Sequence, residues 1–183
     1  MKKMIIFFMI GLFAINSYAK VNEKKIKDWV DLVSKLTQEK YLFKGDLGEV
    51  KQKVKFPSKG IDADLFLSQL LNLHDYTRVP VSKGVYKIMK VKDFTLSRGI
   101  VIDQIKPMLT IKEEIPKNYD YINLKVKIDD LDPREVTKKL RTSVSKYGRI
   151  FYDRKKKNII VITDTGLNCH KMLQYIKKMD RKK

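Results

Sequence analysis

The sequence predicts an α+β chain in which two small mixed αβ units follow one another behind a short apolar leader. Three observations carry this reading. Stretches with apolar residues at every second position, as in a strand with one buried face, alternate with stretches spaced three and four apart, as in a helix packed on one side. That alternation occurs twice, over residues 26–91 and 121–180, with a charged, proline-bearing stretch between. At the N-terminus, Lys2 and Lys3 precede an uncharged apolar run over residues 4–15 and the small-residue ending "NSYA". This is the pattern of a secretory signal peptide cut after Ala19. A membrane span needs about 20 apolar residues, more than this run holds, so an uncleaved anchor is the second reading.

In the first unit, Ile26, Trp29, Val30, Val33 and Leu36 fall on one helical stripe. A short apolar strand follows at Tyr41-Leu42-Phe43. The segment "EVKQKVKF" then alternates strictly, with Val50, Gln52, Val54 and Phe56 on one side and Glu49, Lys51, Lys53 and Lys55 on the other. Helical spacing returns over residues 61–73 through Leu65, Phe66, Gln69, Leu70 and Leu73. Asp62 is placed as N-cap there, and Ile61 can staple to Phe66. A hairpin closes the unit, with strands over residues 77–81 and 85–91 around Ser82-Lys83-Gly84.

The second unit opens with "YINLKVKIDDLDPREVTKKL". Ile122, Leu124, Val126 and Ile128 form the buried row of a strand, and Asn123, Lys125 and Lys127 the wet row. Asp132 caps the following helix with Pro133 at its first position, where the missing N–H costs nothing. Glu135 completes a capping box, Leu131 staples to Val136, and Val136, Leu140 and Val144 continue the stripe. After Gly148, "RIFYD" and "NIIVITD" make a hairpin, and Cys169, Met172, Leu173, Ile176 and Met179 line a last helix. The unit reads as β-α-β-β-α, a three-stranded sheet with two helices on one face. The expected organisation is a leader over residues 1–19, a first unit over 20–91, a linker over 92–118, a second unit over 119–180 and a basic tail over 181–183.

The formal charge is +19, and removing the leader with Lys2 and Lys3 lowers it by two. Such a field suits nucleic acid, anionic lipid, wall polymer or an acidic protein. Lys far outnumbers Arg, the better reader of phosphates and bases, so a solvated Lys-rich surface is the plainer reading. The single Cys169 permits no internal disulfide and is expected as a buried thiol. His74 and His170 stand alone, the first at a helix end and the second just off a buried stripe. No phosphate loop, nucleophile elbow or Cys-x-x-Cys occurs, so the sequence reads as a binding or assembly module without catalytic, metal-binding or cofactor-binding residues.

Two stretches resemble the short N-terminal periplasmic domains of secretins, the channel proteins of type II secretion and type IV pilus systems. In the first, "IKDWVDLVSKLTQEKYLF" and "GEVKQKVKFPSKGIDADLFLSQLLNLHDYTRVPVSKGVYKIMK" resemble the opening helix and strand, then the strand, capped helix and hairpin, of the secretin short N-terminal domain also found in TonB-dependent receptors. In the second, "LKVKIDDLDPREVTKKLR" and "GRIFYDRKKKNIIVITDTGLNCHKMLQYIKKMD" resemble the KH-like second secretin domain. The resemblance departs in two respects. A secretin continues into further repeats and a gate-forming barrel, whereas this sequence ends at Lys183. The family also opens its first domain with a strand, whereas "KVNEKK" is short and charged, so that strand is expected to be weak or missing.

The resemblance implies a non-enzymatic, exported, periplasmic component that docks to secretin ring subunits or to an inner-membrane component, alone or as a homo- or hetero-oligomer. The expected contacts are sheet edges at Tyr41, Leu42 and Phe43 and at Thr77, Arg78, Val79 and Val81. A competing reading uses the Lys51, Lys53, Lys55 row and the turn Arg154, Lys155, Lys156, Lys157 to hold an anionic membrane, wall polymer or nucleic acid. Nucleic acid is the weaker of these, because a KH domain grips its ligand with a Gly-x-x-Gly loop that the KH-like second unit, residues 119–180, lacks.

Overall fold

A computed structural model describes residues 21–45, 47, 50–55, 62–96, 108–109, 114–128, 130–152 and 158–180. The leader with Ala19, the staple residue Ile61, the turn at residues 154–157 and the basic tail lie outside the described residues.

The first unit opens with β1 (Val21–Lys25), which pairs antiparallel with β3 (Lys51–Lys55) in a two-stranded ribbon. The expectation of a weak or missing first strand is therefore corrected. Its charged residues need no buried face of their own, because pairing with β3 supplies the backbone partners and Ile26 N donates to Val50 O at 2.9 Å. α1 (Ile26–Thr37) buries Ile26, Trp29, Val30 and Val33 against α2 (Ala63–Leu73), with the Trp29 and Phe66 rings edge to face at 5.5 Å. The Asp62 side chain caps α2 by accepting from Asp64 N and Leu65 N. Leu36 and Leu73 were expected on the buried stripes but are 58% and 68% exposed, each in the last turn of its helix.

The helices lie on a three-stranded sheet ordered β2-β5-β4, formed by β2 (Lys40–Leu42), β5 (Val85–Lys90) and β4 (Tyr76–Ser82). β2 runs parallel to β5 and β4 antiparallel to it, with a register shift between Pro80 and Ser82. The turn between β4 and β5 places Gly84 at φ +68°, a conformation open to glycine without cost.

Of the stretch expected as a linker, residues 92–96, 108–109 and 114–118 are described. α3 (Val91–Leu96) follows β5 directly and buries Val91 and Phe94, and Ile115 enters the core of the second unit. β6 (Met108–Leu109) adds in parallel to β7 (Tyr121–Lys127), so the second sheet has four strands, ordered β6-β7-β9-β8, rather than the expected three. Val91, Phe94 and Ile115 are isolated apolar residues, which carry no periodicity to mark them in the sequence.

After β7, Asp132 accepts from Arg134 N at 2.8 Å and starts α4 (Pro133–Leu140). A 3-10 turn at Arg141–Ser143 ends that helix four residues before Val144, which still packs on the core. β8 (Arg149–Tyr152), β9 (Ile159–Thr165) and α5 (Gly166–Asp180) complete the unit. Leu124, Val126 and Ile128 share one face with Ile160 and Ile162, and both helices cover it. Among the described residues no helix is long and apolar enough to cross a membrane.

Candidate functional site

The strand "YTRVPVS" carries a charge where its neighbours are apolar or β-branched, and that charge organises the junction between the units. Arg78 on β4 is 2% exposed. Its guanidinium meets Asp120, just before β7, through Nε to both carboxylate oxygens at 3.1 Å and Nη2 to Oδ2 at 2.6 Å. Nη1 donates to Asp64 Oδ1 in the first turn of α2 at 2.6 Å and lies 3.5 Å from the Tyr41 hydroxyl. The Arg78 backbone N–H donates to Asp120 Oδ1 at 3.1 Å, and Asn118 Nδ2 donates to Oδ2 at 3.0 Å. Tyr86 lies beneath the guanidinium, 5.6 Å from its ring centre.

The electrostatics follow from burial and pairing. Burial opposes the charge on Arg78, but attraction to Asp120, with hydrogen bonds to Asp120 and Asp64, outweighs it and holds the guanidinium protonated more firmly than usual. Burial pushes the Asp120 carboxyl up against the pull of Arg78. Asp64 is half-buried, which would raise it, but the hydrogen bond and charge of Arg78 hold it below its ordinary value. Each nitrogen of this guanidinium meets a protein acceptor, so it serves as a structural tie.

Further contacts extend the junction. Tyr121 N donates to Thr77 Oγ1 at 2.8 Å and Tyr119 N to Ser68 Oγ at 3.2 Å. Val79, Val91, Phe94 and Tyr121 form a buried cluster shared by the two units. At the rim, Tyr147 Oη donates to Asp75 Oδ2 at 2.9 Å and Lys146 Nζ lies 3.2 Å from the same oxygen. A cavity of about 380 Å³ opens beside Arg78, lined by Glu39, Tyr86, Phe94, Pro116 and Ile122 among others.

The expected contact residues therefore separate into two groups. Thr77, Arg78 and Val79 are buried in the junction, and this corrects their assignment as a free edge: Asp120 and Tyr121 occupy the outer side of β4 there. Val81, at the register shift, remains 49% exposed. β2 is the other edge of that sheet, and among the described residues it pairs only with β5. Leu42 is 54% exposed there. Tyr41 is half-buried, stacks on Tyr86 at 5.8 Å and donates to Glu39 Oε2 at 2.6 Å; burial, then that bond, pushes its phenol up to about 12. Phe43 packs on the first core and lines a second cavity of about 280 Å³. Lys51 and Lys53 are exposed on β3, and Lys55 ends that strand.

Sequence reasoning missed Asp64, Asn118 and Asp120. The one available signal was Arg78 itself, a charge within a strand that has to find an acceptor or remain at great cost. Cys169 is buried in the second core, where burial and the charge of Asp164 push its thiol well above the ordinary range. His74 Nε2 lies 3.1 Å from Gln52 Oε1, and His170 pairs with Gln174. Among the described residues no group of three His, Cys, Asp or Glu could hold a metal ion.

The described residues thus form two small αβ units in tandem, joined through a buried ion pair. No family model matches the sequence, and no curated protein matches it. Solved structures do. A chain of the Klebsiella pneumoniae type II secretion system outer membrane complex of PulD, PulS and the PulC HR domain superposes with a TM-score of 0.67 at 14% identity, covering 88% of this chain and 26% of that one. The N-terminal domain of the secretin XcpQ from Pseudomonas aeruginosa matches at 19% identity and a TM-score of 0.31, over 88% of this chain and 62% of that one. A structure of InvGN0N1 with SpaPQR and PrgHK from the Salmonella SPI-1 injectisome matches at 11% identity and a TM-score of 0.36, over 90% and 94%. This chain thus spans about a quarter of the first of these chains. In fold it is secretin N-domain-like.

Proposed function

We propose that this chain is a non-enzymatic docking module of a secretin-type secretion machine, acting in the periplasm. The observation that carries the reading is the superposition on the chain from the type II outer membrane complex, which spans 88% of this chain at a TM-score of 0.67. A match of that extent takes in both units. We read the second unit, with its order β7-α4-β8-β9-α5, as the KH-like secretin domain, with β6 added at its edge.

The docking surface in this reading is the open edge of β2 and the residues beside it: Tyr41, Leu42 and Phe43, with Val81 at the far edge of the same sheet. An edge strand offers a row of N–H and C=O groups to a partner strand, and the exposed Leu42 side chain supplies an apolar contact next to it. The partners proposed are secretin ring subunits or an inner-membrane secretion component. One or two short domains offer limited area, so the contact is of the transient size class.

A photo-crosslinking side chain placed at position 42 or 81 in the native host tests the reading. Capture of a secretin subunit or inner-membrane secretion component from these positions, and not from Lys139 on α4, is the expected outcome. Equal capture from all three positions, or capture of neither class of protein, refutes it.

A further inference from the structure

We propose that the outer face of the β1–β3 ribbon is a contact surface for the headgroup layer of an anionic phospholipid bilayer. The inference stands independently of the docking reading, because it rests on a different part of the molecule and a different chemistry.

The register of the ribbon is the first observation. Lys25 lies directly across from Lys51, Glu23 across from Lys53, and Val21 across from Lys55. Cross-strand partners share a face, so among the described side chains one side of the ribbon presents Lys25, Lys51 and Lys53 against the single acid Glu23. The opposite side is the packed one: Val54 rests on the first core, and Lys24 lies over the Trp29 ring at 5.2 Å. The basic side therefore faces outward. Lys25 and Lys51 are exposed, and Lys53 is 71% exposed even with Glu23 at 3.6 Å.

Like charges directly opposed across a strand pair destabilise it, so the Lys25–Lys51 pairing runs against the stability of an isolated ribbon. A negatively charged surface laid over that face turns the repulsion into attraction. The choice of cation fits a diffuse surface better than a shaped phosphate site. All the cations of this row are Lys, point charges on flexible stems, and none is Arg, the residue that grips a single phosphate bidentately.

Position along the chain is the second observation. The apolar run at residues 4–15 ends just before "NSYAK", and Val21 begins β1. Even fully extended, that connection reaches roughly 20 Å. For as long as the leader is uncut and its apolar run occupies a bilayer, this connection keeps the ribbon close to the headgroup layer. Basic residues beside a membrane segment bind anionic lipid at about 1 kcal/mol for each Lys near the surface.

The test uses the chain starting at Lys20, which keeps every described element and omits the apolar run. It is sedimented with vesicles of phosphatidylethanolamine containing about one-quarter phosphatidylglycerol, and with vesicles of phosphatidylcholine alone. Binding to the first and not the second is expected, weakening as salt rises. Lys51→Glu with Lys53→Glu should reduce binding about tenfold or more, and the milder Lys51→Gln with Lys53→Gln by several-fold. Lys138→Glu with Lys139→Glu, the same change in net charge on α4, should leave most of the binding in place. Far-UV circular dichroism confirms that each variant is folded. Equal loss from the α4 variant would show net charge alone at work and overturn the proposal. So would absence of vesicle binding, or binding abolished by free glycerol phosphate at millimolar level, which would indicate a soluble phosphate ligand.

Discussion

Replacing Asp120 with Asn changes one oxygen to an amino group and leaves the shape alone, so it isolates the electrostatic part of the junction. In the folded chain Asp120 accepts from the Arg78 backbone N–H, from Nε, from Nη2 and from Asn118 Nδ2. An asparagine retains one accepting oxygen and turns a donor toward donors at the other position. It also leaves a guanidinium that is 2% exposed without its nearest counter-charge. Removing one partner of a buried ion pair costs about 3–5 kcal/mol. Asp64 remains 2.6 Å from Nη1 and can be partly solvated, so the loss belongs at the lower end, about 3 kcal/mol. With a urea slope near 2 kcal/mol per molar, the midpoint should fall by about 1.5 M.

The molecule supplies its own two-probe assay. The single Trp29 lies in the core of the first unit, so its fluorescence follows that unit alone, whereas far-UV circular dichroism follows both. In the parent chain the two transitions should coincide, because the junction couples the units. In Asp120→Asn they should separate. Arg78→Met combined with Asp120→Leu removes both charges, and replacing a buried pair with apolar residues is often neutral, so this variant should recover most of the lost stability. A single variant within about 0.5 kcal/mol of the parent, or a double variant as unstable as the single, would refute this account of the junction.

Other predictions follow from single residues. Gly148 has no room for a methyl group, since a Cβ there would press on the Asp164 carboxylate and Ser145 N; Gly148→Ala should cost about 1–3 kcal/mol in urea unfolding. Gln38 ends α1 at φ +60°, where glycine is easier, so Gln38→Gly should raise stability by up to about 1 kcal/mol in the same measurement. Asp64 has a folded pKa below its unfolded one. Its contribution is therefore present above the ordinary carboxylate value and lost as pH falls through the depressed one. Thermal unfolding across acid pH should show a steeper loss for the parent than for Asp64→Asn.

The elements legible in the sequence are those whose signals are local. The β7 to α4 corner is the clearest case: the alternation from Ile122 to Ile128 and the Asp132-Pro133 start both lie within a few residues, and the structure realises both. β1 was illegible because its five residues hold almost no apolar pattern, and it exists through pairing with β3 about thirty positions on. The Arg78–Asp120 tie joins residues far apart in sequence, and nothing near either one names the other. The same distance explains the mistaken edge. The alternation around Thr77 to Val81 correctly gave a strand, but which strand edges stay open is decided by tertiary neighbours, here Asp120 and Tyr121.

The form of the junction bears on what it contributes. Apolar contact is non-directional, so Val79, Val91, Phe94 and Tyr121 alone would hold the units together without fixing their angle. A guanidinium that meets Asp120 through two nitrogens and Asp64 through a third admits a narrow range of orientations. Because a buried ion pair adds little net stability over an apolar replacement, its main effect in this reading is to set orientation. Stability and orientation should then be separable in one variant. Arg78→Met with Asp120→Leu should keep a near-parental urea midpoint while its small-angle X-ray scattering reports a broader distribution of distances between the units. A variant equally stable and with an unchanged scattering profile would show that the apolar cluster and the Asp75–Tyr147 rim contact already fix the angle, leaving the ion pair no orienting role.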